Sequence, residues 1–437
     1  MTVPSTGCRP DEHRLHRRLF LKGLAASGAT SVASFSGLFT NPAFADAAKK
    51  AQKNVILLWL CGAPSQFETW DPKPGRPSGG PFGTVRTSVP GVHFSALMPK
   101  CASIAHRLNV VRCMRTKQTE HLQGINLLTR GNPDRAGFTR PTLGAAVSAA
   151  LGNIDTKLPN FILLEPNPEG NEFKEYKASD LHGWLGPDHA PVQLGGDKTQ
   201  LGKAADALAG NREDRDALRK FFAKRYEAAG RGPTAAAQNA AFEKVKGLMA
   251  SADLFDLKKL PEADRARYGP GTFGLHTLMA RNLVEKGAPF VMVANGMPWD
   301  NHVLQHEIHQ MLVPELDRIL YHLVADLQDR GLLDHTLVVA MGEFGRTPWL
   351  NASRGRDHYP HAWSLMMTGC GLKRGVVVGG TDIDGVDPDG RSFNEQNLFA
   401  TIFTALGIDP HAEYDLPGFP TFHRVEDKAE PIKELLA

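Results

Sequence analysis

The chain has 437 residues, 42% apolar and 22% charged, an ordinary globular composition with length for one large domain or two smaller ones. Its formal net charge of +3 belongs to the N-terminus, because residues 1–45 hold five Lys or Arg against two Asp or Glu and leave 45 of each sign in the rest. A balanced chain without a basic stripe argues against nucleic acid as partner, and no run is long and apolar enough for a transmembrane segment.

The N-terminus reads Arg17-Arg18-Leu19-Phe20-Leu21-Lys22, then a weakly apolar Ala-, Ser- and Gly-rich stretch to Phe39, then Ala43-Phe44-Ala45. This is the pattern of a twin-arginine signal peptide at residues 1–45. It predicts a periplasmic or extracellular protein whose mature part is a single domain, 46–437. That export route carries proteins already folded, which suits a cofactor-loaded site. Cys61, Cys101, Cys113 and Cys370 show no CxxC spacing, so no zinc knuckle is implied. A Cys101–Cys113 disulfide is compatible with an oxidising compartment, whereas folding in a reducing cytoplasm favours free, buried thiols.

The mature part opens with a continuous apolar run, Val55 to Leu60, which predicts a strand buried on both faces of a parallel sheet and ended by Gly62 and Pro64. His106–Met114 holds a second strand. The segment from Glu120 reads as a helix stopped by Gly131. Leu158–Pro166 is a third strand. From about 195 to 260 two amphipathic stretches predict a helical insertion with few residues that suggest chemistry. A helix through "GLHTLMARNLVEKG", a strand at "PFVMVANG", a helix over 306–330 and a strand at "HTLVVAMG" follow. A further strand at "HAWSLMMTG" and a helix over 394–408 close the pattern. Strands alternating with helices predict an α/β fold with a mainly parallel sheet. In such sheets the reactive groups sit beyond the carboxyl ends of the strands.

Three charged clusters follow strands in that way. "WDNHVLQHEIH" offers Asp300, His302, His306 and His309. Asp300 and His302, at the strand–helix junction, are the expected metal ligands. His306 could pair with His302 on one helix face, while the bland reading puts His306 and His309 in a packed or solvated face. The second cluster runs from a buried strand straight into Glu343 and continues to Arg346, Asp357 and His358. A buried Glu343 needs a cation, with Arg346 the plain partner and a metal the sharper one. In the second case Arg346 is left free to grip an oxyanion. Imidazoles with carboxylates suit zinc, manganese or iron, and carboxylates alone suit magnesium or calcium. In the third cluster Thr119 is placed to cap a helix, where a hydroxyl nucleophile and an anionic group would meet a favourable dipole. His121 beside it is a candidate general acid or base, or a packed neighbour of a plain cap.

"RRLFLK", "APSQFETWDPKPG", "WDNH", "GEFGRTP" and "GRDHYP" together resemble the exported bacterial family called domain of unknown function 1501, over essentially the whole mature chain. That family is similar in turn to the alkaline phosphatase and sulfatase superfamily. The resemblance implies a three-layer α/β/α sandwich around a mostly parallel sheet. It also implies one or two divalent ions (zinc, manganese or calcium) at the strand ends, on Asp300, His302 or His306, Glu343, Asp357 and His358. The sequence departs from the superfamily where the first strand ends: Leu60-Cys61-Gly62 stands in place of an Asp, and Asp71 or Glu68 would have to substitute. The sulfatase nucleophile motif is absent, and Thr119, Glu120 and His121 occupy its place. The expectation is an exported metal-dependent hydrolase of small phosphate or sulfate esters, or of a sulfated or phosphorylated glycan. A non-catalytic binding protein and a phosphomutase-like isomerase on the same fold are the alternatives.

Overall fold

The structure is a computed structural model that describes residues 53–132, 139–152, 158–165, 181–195, 256, 259–296, 298–415, 421–425 and 429–437. The expected signal at 1–45 and nearly all of the expected insertion at 195–260 lie outside the described residues.

Eight strands form the central sheet: β1 (Asn54–Trp59), β2 (Asn109–Met114), β3 (Phe161–Glu165), β4 (Val192–Gly195), β5 (Phe290–Ala294), β6 (Thr336–Met341), β7 (Trp363–Thr368) and β8 (Val377–Val378). Their order across the sheet is β8-β2-β7-β6-β1-β5-β3-β4. All pairings in it are parallel except the two made by β7, with β2 and β6. The reversal has a local cause. Residues 342–362 contain no helix, only the short ladder of Gly345–Arg346 against His358–Tyr359. Without a helical crossover, the usual route back to a parallel strand, the chain returns antiparallel to β6.

Both faces of the sheet are covered, which is why β1 is apolar throughout. Val55, Leu57 and Trp59 point into one core with α1 (His121–Arg130), α2 (Leu143–Leu151) and α5 (Glu395–Leu406). Ile56 and Leu58 point into the other with α3 (Thr272–Glu285) and α4 (Gln305–Asp329). The result is the expected three-layer α/β/α arrangement around a mostly parallel sheet. Strand β4 and the two-residue β8 were not legible in the sequence. They lie at the two sheet edges, where little burial is needed and patterning is weak.

Local stops follow the side chains. Gly131 takes the left-handed conformation (φ 74°) that closes α1, and Asn394 starts α5 with a reciprocal capping box. Residue Glu120, not Thr119, is the cap of α1, and no side chain caps it. The four cysteines among the described residues are buried thiols outside any disulfide, so the Cys101–Cys113 bridge is not formed. Among the described residues no helix is long and apolar enough to cross a membrane.

Strands β1, β2, β5 and β6 release their chains at one edge of the sheet. Because β7 runs backwards, the segment before it, Arg356 to Ala362, arrives at that same edge. Four connections, the last of them reaching the edge at both its ends, therefore converge there.

Candidate metal centre

Asp300 stands at the middle of this convergence. Its Oδ1 lies 3.2 Å from His121 Nε2, 2.9 Å from His302 Nε2, 3.2 Å from His358 Nε2 and 2.7 Å from Arg346 Nη2. The approach of these loops depends on Gly62 (φ 94°), where a Cβ would sit 2.4 Å from the backbone nitrogen of Asp300.

The three imidazoles share one arrangement. His121 Nδ1 meets Glu343 Oε1 at 2.6 Å, His302 Nδ1 meets Asp357 Oδ1 at 2.8 Å, and His358 Nδ1 meets the carbonyl of Thr119. Each acceptor assigns the ring proton to Nδ1, which turns an Nε2 lone pair toward Asp300. His302 Nε2 and His358 Nε2 are 3.0 Å apart. Three ring lone pairs and a carboxylate oxygen thus face one space, with the Arg346 guanidinium as the cationic donor. That excess of acceptors calls for a cation, or for protons on the rings. The ligand atoms of His121, Asp300 and His358 all lie within 4.8 Å of one another.

Glu343 is fully buried. Its Oε1 accepts from the Gly62 amide (2.9 Å) as well as from His121, and its Oε2 has no hydrogen-bond partner among the described residues. Helix α1 comes close enough to present His121 because residue 124 is glycine; a Cβ there would stand 3.1 Å from Glu343 Cβ and 3.2 Å from the Phe344 ring. Burial raises the Asp300 carboxyl, but His121, His358 and Arg346 outweigh it and hold the group well below the usual carboxylate range.

The sequence expectations divide here. Asp300, His302 and His358 come together as expected. Asp357 and Glu343 are brought to the site but hold imidazoles, so they stand behind the rings rather than beside Asp300. His121, read as an acid or base or a packed neighbour, turns its Nε2 into the ligand cluster. The signal that could have found it is its place two residues beyond Thr119, at the first turn of a helix that follows a strand.

Arg346 departs from expectation. It is fully buried, donating through Nε to Ala63 O (3.0 Å), through Nη1 to Arg356 O (2.9 Å) and through Nη2 to Gly62 O and Asp300. A guanidinium spent on three carbonyls and a carboxylate cannot also grip a substrate oxyanion. Nor is it the partner of Glu343, which is held by His121. Thr119 is exposed, and its carbonyl, not its hydroxyl, makes the recorded contact with the site. His306 turns away to Glu68 (3.4 Å), and His309 is buried on the Ser65 amide and Trp299. The packed reading holds for these two. Glu68 is locked to Arg356 at 2.8 Å and Asp71 to Lys73 at 3.2 Å, so neither replaces the missing first-strand acid at Asp300.

A family profile described as "Protein of unknown function (DUF1501)" matches residues 52–436, and the chain belongs to that family. No curated protein matches the sequence. Among solved structures the chain is similar to the PsFucS1 sulfatase from Pseudoalteromonas sp. (13% identity, TM-score 0.40, covering 87% of this chain and 72% of that one). It is also similar to the lipoteichoic acid synthase LtaP from Listeria monocytogenes (12%, 0.39, 87% and 78%). The phosphonate monoester hydrolase SpPMH from Silicibacter pomeroyi is a third (12%, 0.35, 82% and 74%).

Proposed function

We propose that this DUF1501 protein is a metal-dependent hydrolase of phosphate or sulfate esters, with His121, Asp300, His302 and His358 holding the cation. The observation that supports this most directly is the shared imidazole arrangement: three rings with Nδ1 tied to an acceptor and Nε2 gathered on one carboxylate oxygen. Acceptors of both nitrogen and oxygen type fit zinc or manganese. Calcium, which prefers oxygen alone, fits less well.

A cation held by these residues would supply Lewis acidity toward an ester oxygen and an attacking water. The remaining work falls to this chain's own groups. Glu343, Asp357 and the Thr119 carbonyl fix the tautomer and tilt of the three imidazoles. Arg346 keeps Asp300 ionised and pins the turn after β1 to it. The attacking oxygen is a water or the Thr119 hydroxyl. The general acid–base role read for His121 is set aside, because both of its nitrogens are engaged within the cluster. In this reading the segment 1–45 delivers the folded protein through the twin-arginine route to the periplasm or beyond, as a single mature domain, 46–437. Its substrate is a small anionic ester or a sulfated or phosphorylated glycan.

The test is the metal content, by mass spectrometry, of protein exported from its native host, wild type beside His358→Ala. A stoichiometric transition metal, lost in the variant, is expected. A metal-free wild type that also fails to take up zinc or manganese would overturn the reading and leave protonated imidazoles around Asp300.

A further inference from the structure

The two loops that carry His358 and the Thr119 carbonyl continue into the walls of a cavity of about 560 Å³. Arg115, Thr116 and Lys117 come from the first loop, and Pro360 and His361 from the second. Phe393 and the start of α5 close the third side. We propose that this cavity is a subsite for a second, non-reacting anionic group of the substrate: a sulfate, phosphate or carboxylate borne on a sugar.

The lining chemistry carries the proposal. Arg115 and Lys117 are exposed at the rim, and Arg115 Nη2 lies 3.4 Å from His361 Nδ1. The guanidinium donates to that ring nitrogen, which fixes Arg115 at the rim with other N–H groups left over for an anion. The nearby acid, Asp387, is 3.7 Å from Arg115 across an exposed pair, a weak competitor. Glu395 also lines the cavity; burial pushes its carboxyl upward and Lys117 opposes that shift.

Thr116 is buried and forms part of the cavity wall. Asn394 and Asn397 contribute little, since each is spent on the capping box of α5. The volume lies in the range of small-molecule sites, roughly 300–1,000 Å³, and far exceeds what a lone tetraoxyanion fills. Apolar Pro360 and Phe393 facing hydroxyls and cations match the mixed surface of a sugar ring carrying a charge.

The role as a substrate subsite rests on the ester-hydrolase reading, but binding is measurable without turnover. The experiment is titration calorimetry of the full exported chain with a disulfated disaccharide and with its unsulfated counterpart. The wild type is compared with Arg115→Ala/Lys117→Ala and with Arg374→Ala, a distant exposed arginine, as the control. The sulfated sugar is expected to bind at least about tenfold more tightly than the neutral one. The double variant should lose at least about tenfold, with metal content unchanged and the control silent. Equal affinity for the two sugars, or undiminished binding by the double variant, overturns the subsite. Metal content decides the hydrolase reading separately, so either idea can fail alone.

Discussion

Replacing Arg356 tests whether a buried ion pair behind the site positions its ligands. Arg356 and Glu68 are both fully buried, with Nη2 and Nε at 2.8 and 3.2 Å from Glu68 Oε1. The same guanidinium donates to the carbonyls of Thr347, Pro348 and Ser78, and lies 4.6 Å from the centre of the Phe67 ring. Burial pushes the Glu68 carboxyl upward, yet Arg356, with His306 and His309, outweighs it and holds the group well below the carboxylate range. Arg356→Met leaves that carboxylate buried and three carbonyls without a donor. Breaking a buried pair from one side costs about 3–5 kcal/mol. That is a large part of the ~5–15 kcal/mol that holds a domain together. Arg356→Lys keeps the charge but loses the planar fork, and about 2 kcal/mol is expected. Arg356 directly precedes Asp357 and His358, so zinc affinity should fall by about 10- to 100-fold in the Lys variant as well. Urea unfolding reports the first effect and competition with a chelator the second. A loss below about 1 kcal/mol in Arg356→Met refutes the energetic argument. A destabilised Arg356→Lys with unchanged zinc affinity refutes the positioning role.

Glu343→Gln keeps the shape and an acceptor for His121 Nδ1 and the Gly62 amide but removes the charge. Zinc affinity should fall by about 10- to 100-fold with little loss of stability, and unchanged affinity in a chelator competition would contradict the orienting role. Burial pushes the His309 imidazole down to about 4, so the folded protein refuses a proton that the unfolded chain accepts below about 6.5. Its contribution is therefore whole above that value and erodes as pH falls toward 4, by on the order of 3 kcal/mol. His309→Gln should flatten the dependence of the urea midpoint on pH between 4 and 7, and parallel curves would rule this out. Thr119→Ala separates the two attacking groups. A loss beyond about 100-fold in turnover assigns the hydroxyl, and a few-fold loss assigns water.

The sheet was legible because its central strands are buried on both faces. Val55–Leu60, "PFVMVA" and "TLVVAM" read as unbroken apolar runs for that reason, and the helix periods between them did the rest. The edge strands at Val192 and Val377 carry no such run. The direction of Trp363–Thr368 was hidden because it depends on what the preceding loop lacks, a crossover helix. In the site, Asp300, His302 and His358 were legible as ligand-type residues just beyond strand ends. Second-rank partners were not. Whether Glu343 meets an arginine, a metal or an imidazole depends on how closely α1 approaches, and Gly124 sets that distance through space, from more than two hundred residues away in the chain.

The two arginines show where residue type misleads most. Arg346 and Arg356 sit in glycine- and proline-marked loops at the carboxyl-end edge of the sheet, the usual setting of an anion-binding fork. Both instead turn inward and are fully buried. Each has a structural reason to do so. The turns after β1 and β6 expose backbone carbonyls at Gly62, Ala63, Thr347, Pro348 and Arg356, and a guanidinium is the side chain with enough donors to satisfy several at once. A loop cluster built from five strand ends without regular hydrogen bonding needs such donors before it can present ligands at all. If the inner arginines are consumed in building the site, the positive charge that meets a substrate anion must come from elsewhere. The imidazole-lined space at Asp300 and the rim of Arg115 and Lys117 are the places at this edge that offer it. The hydrolase proposal therefore depends more heavily on a bound cation than the sequence alone suggested. A metal-stripped protein should lose affinity for an anionic ester at Asp300 while keeping what the rim contributes.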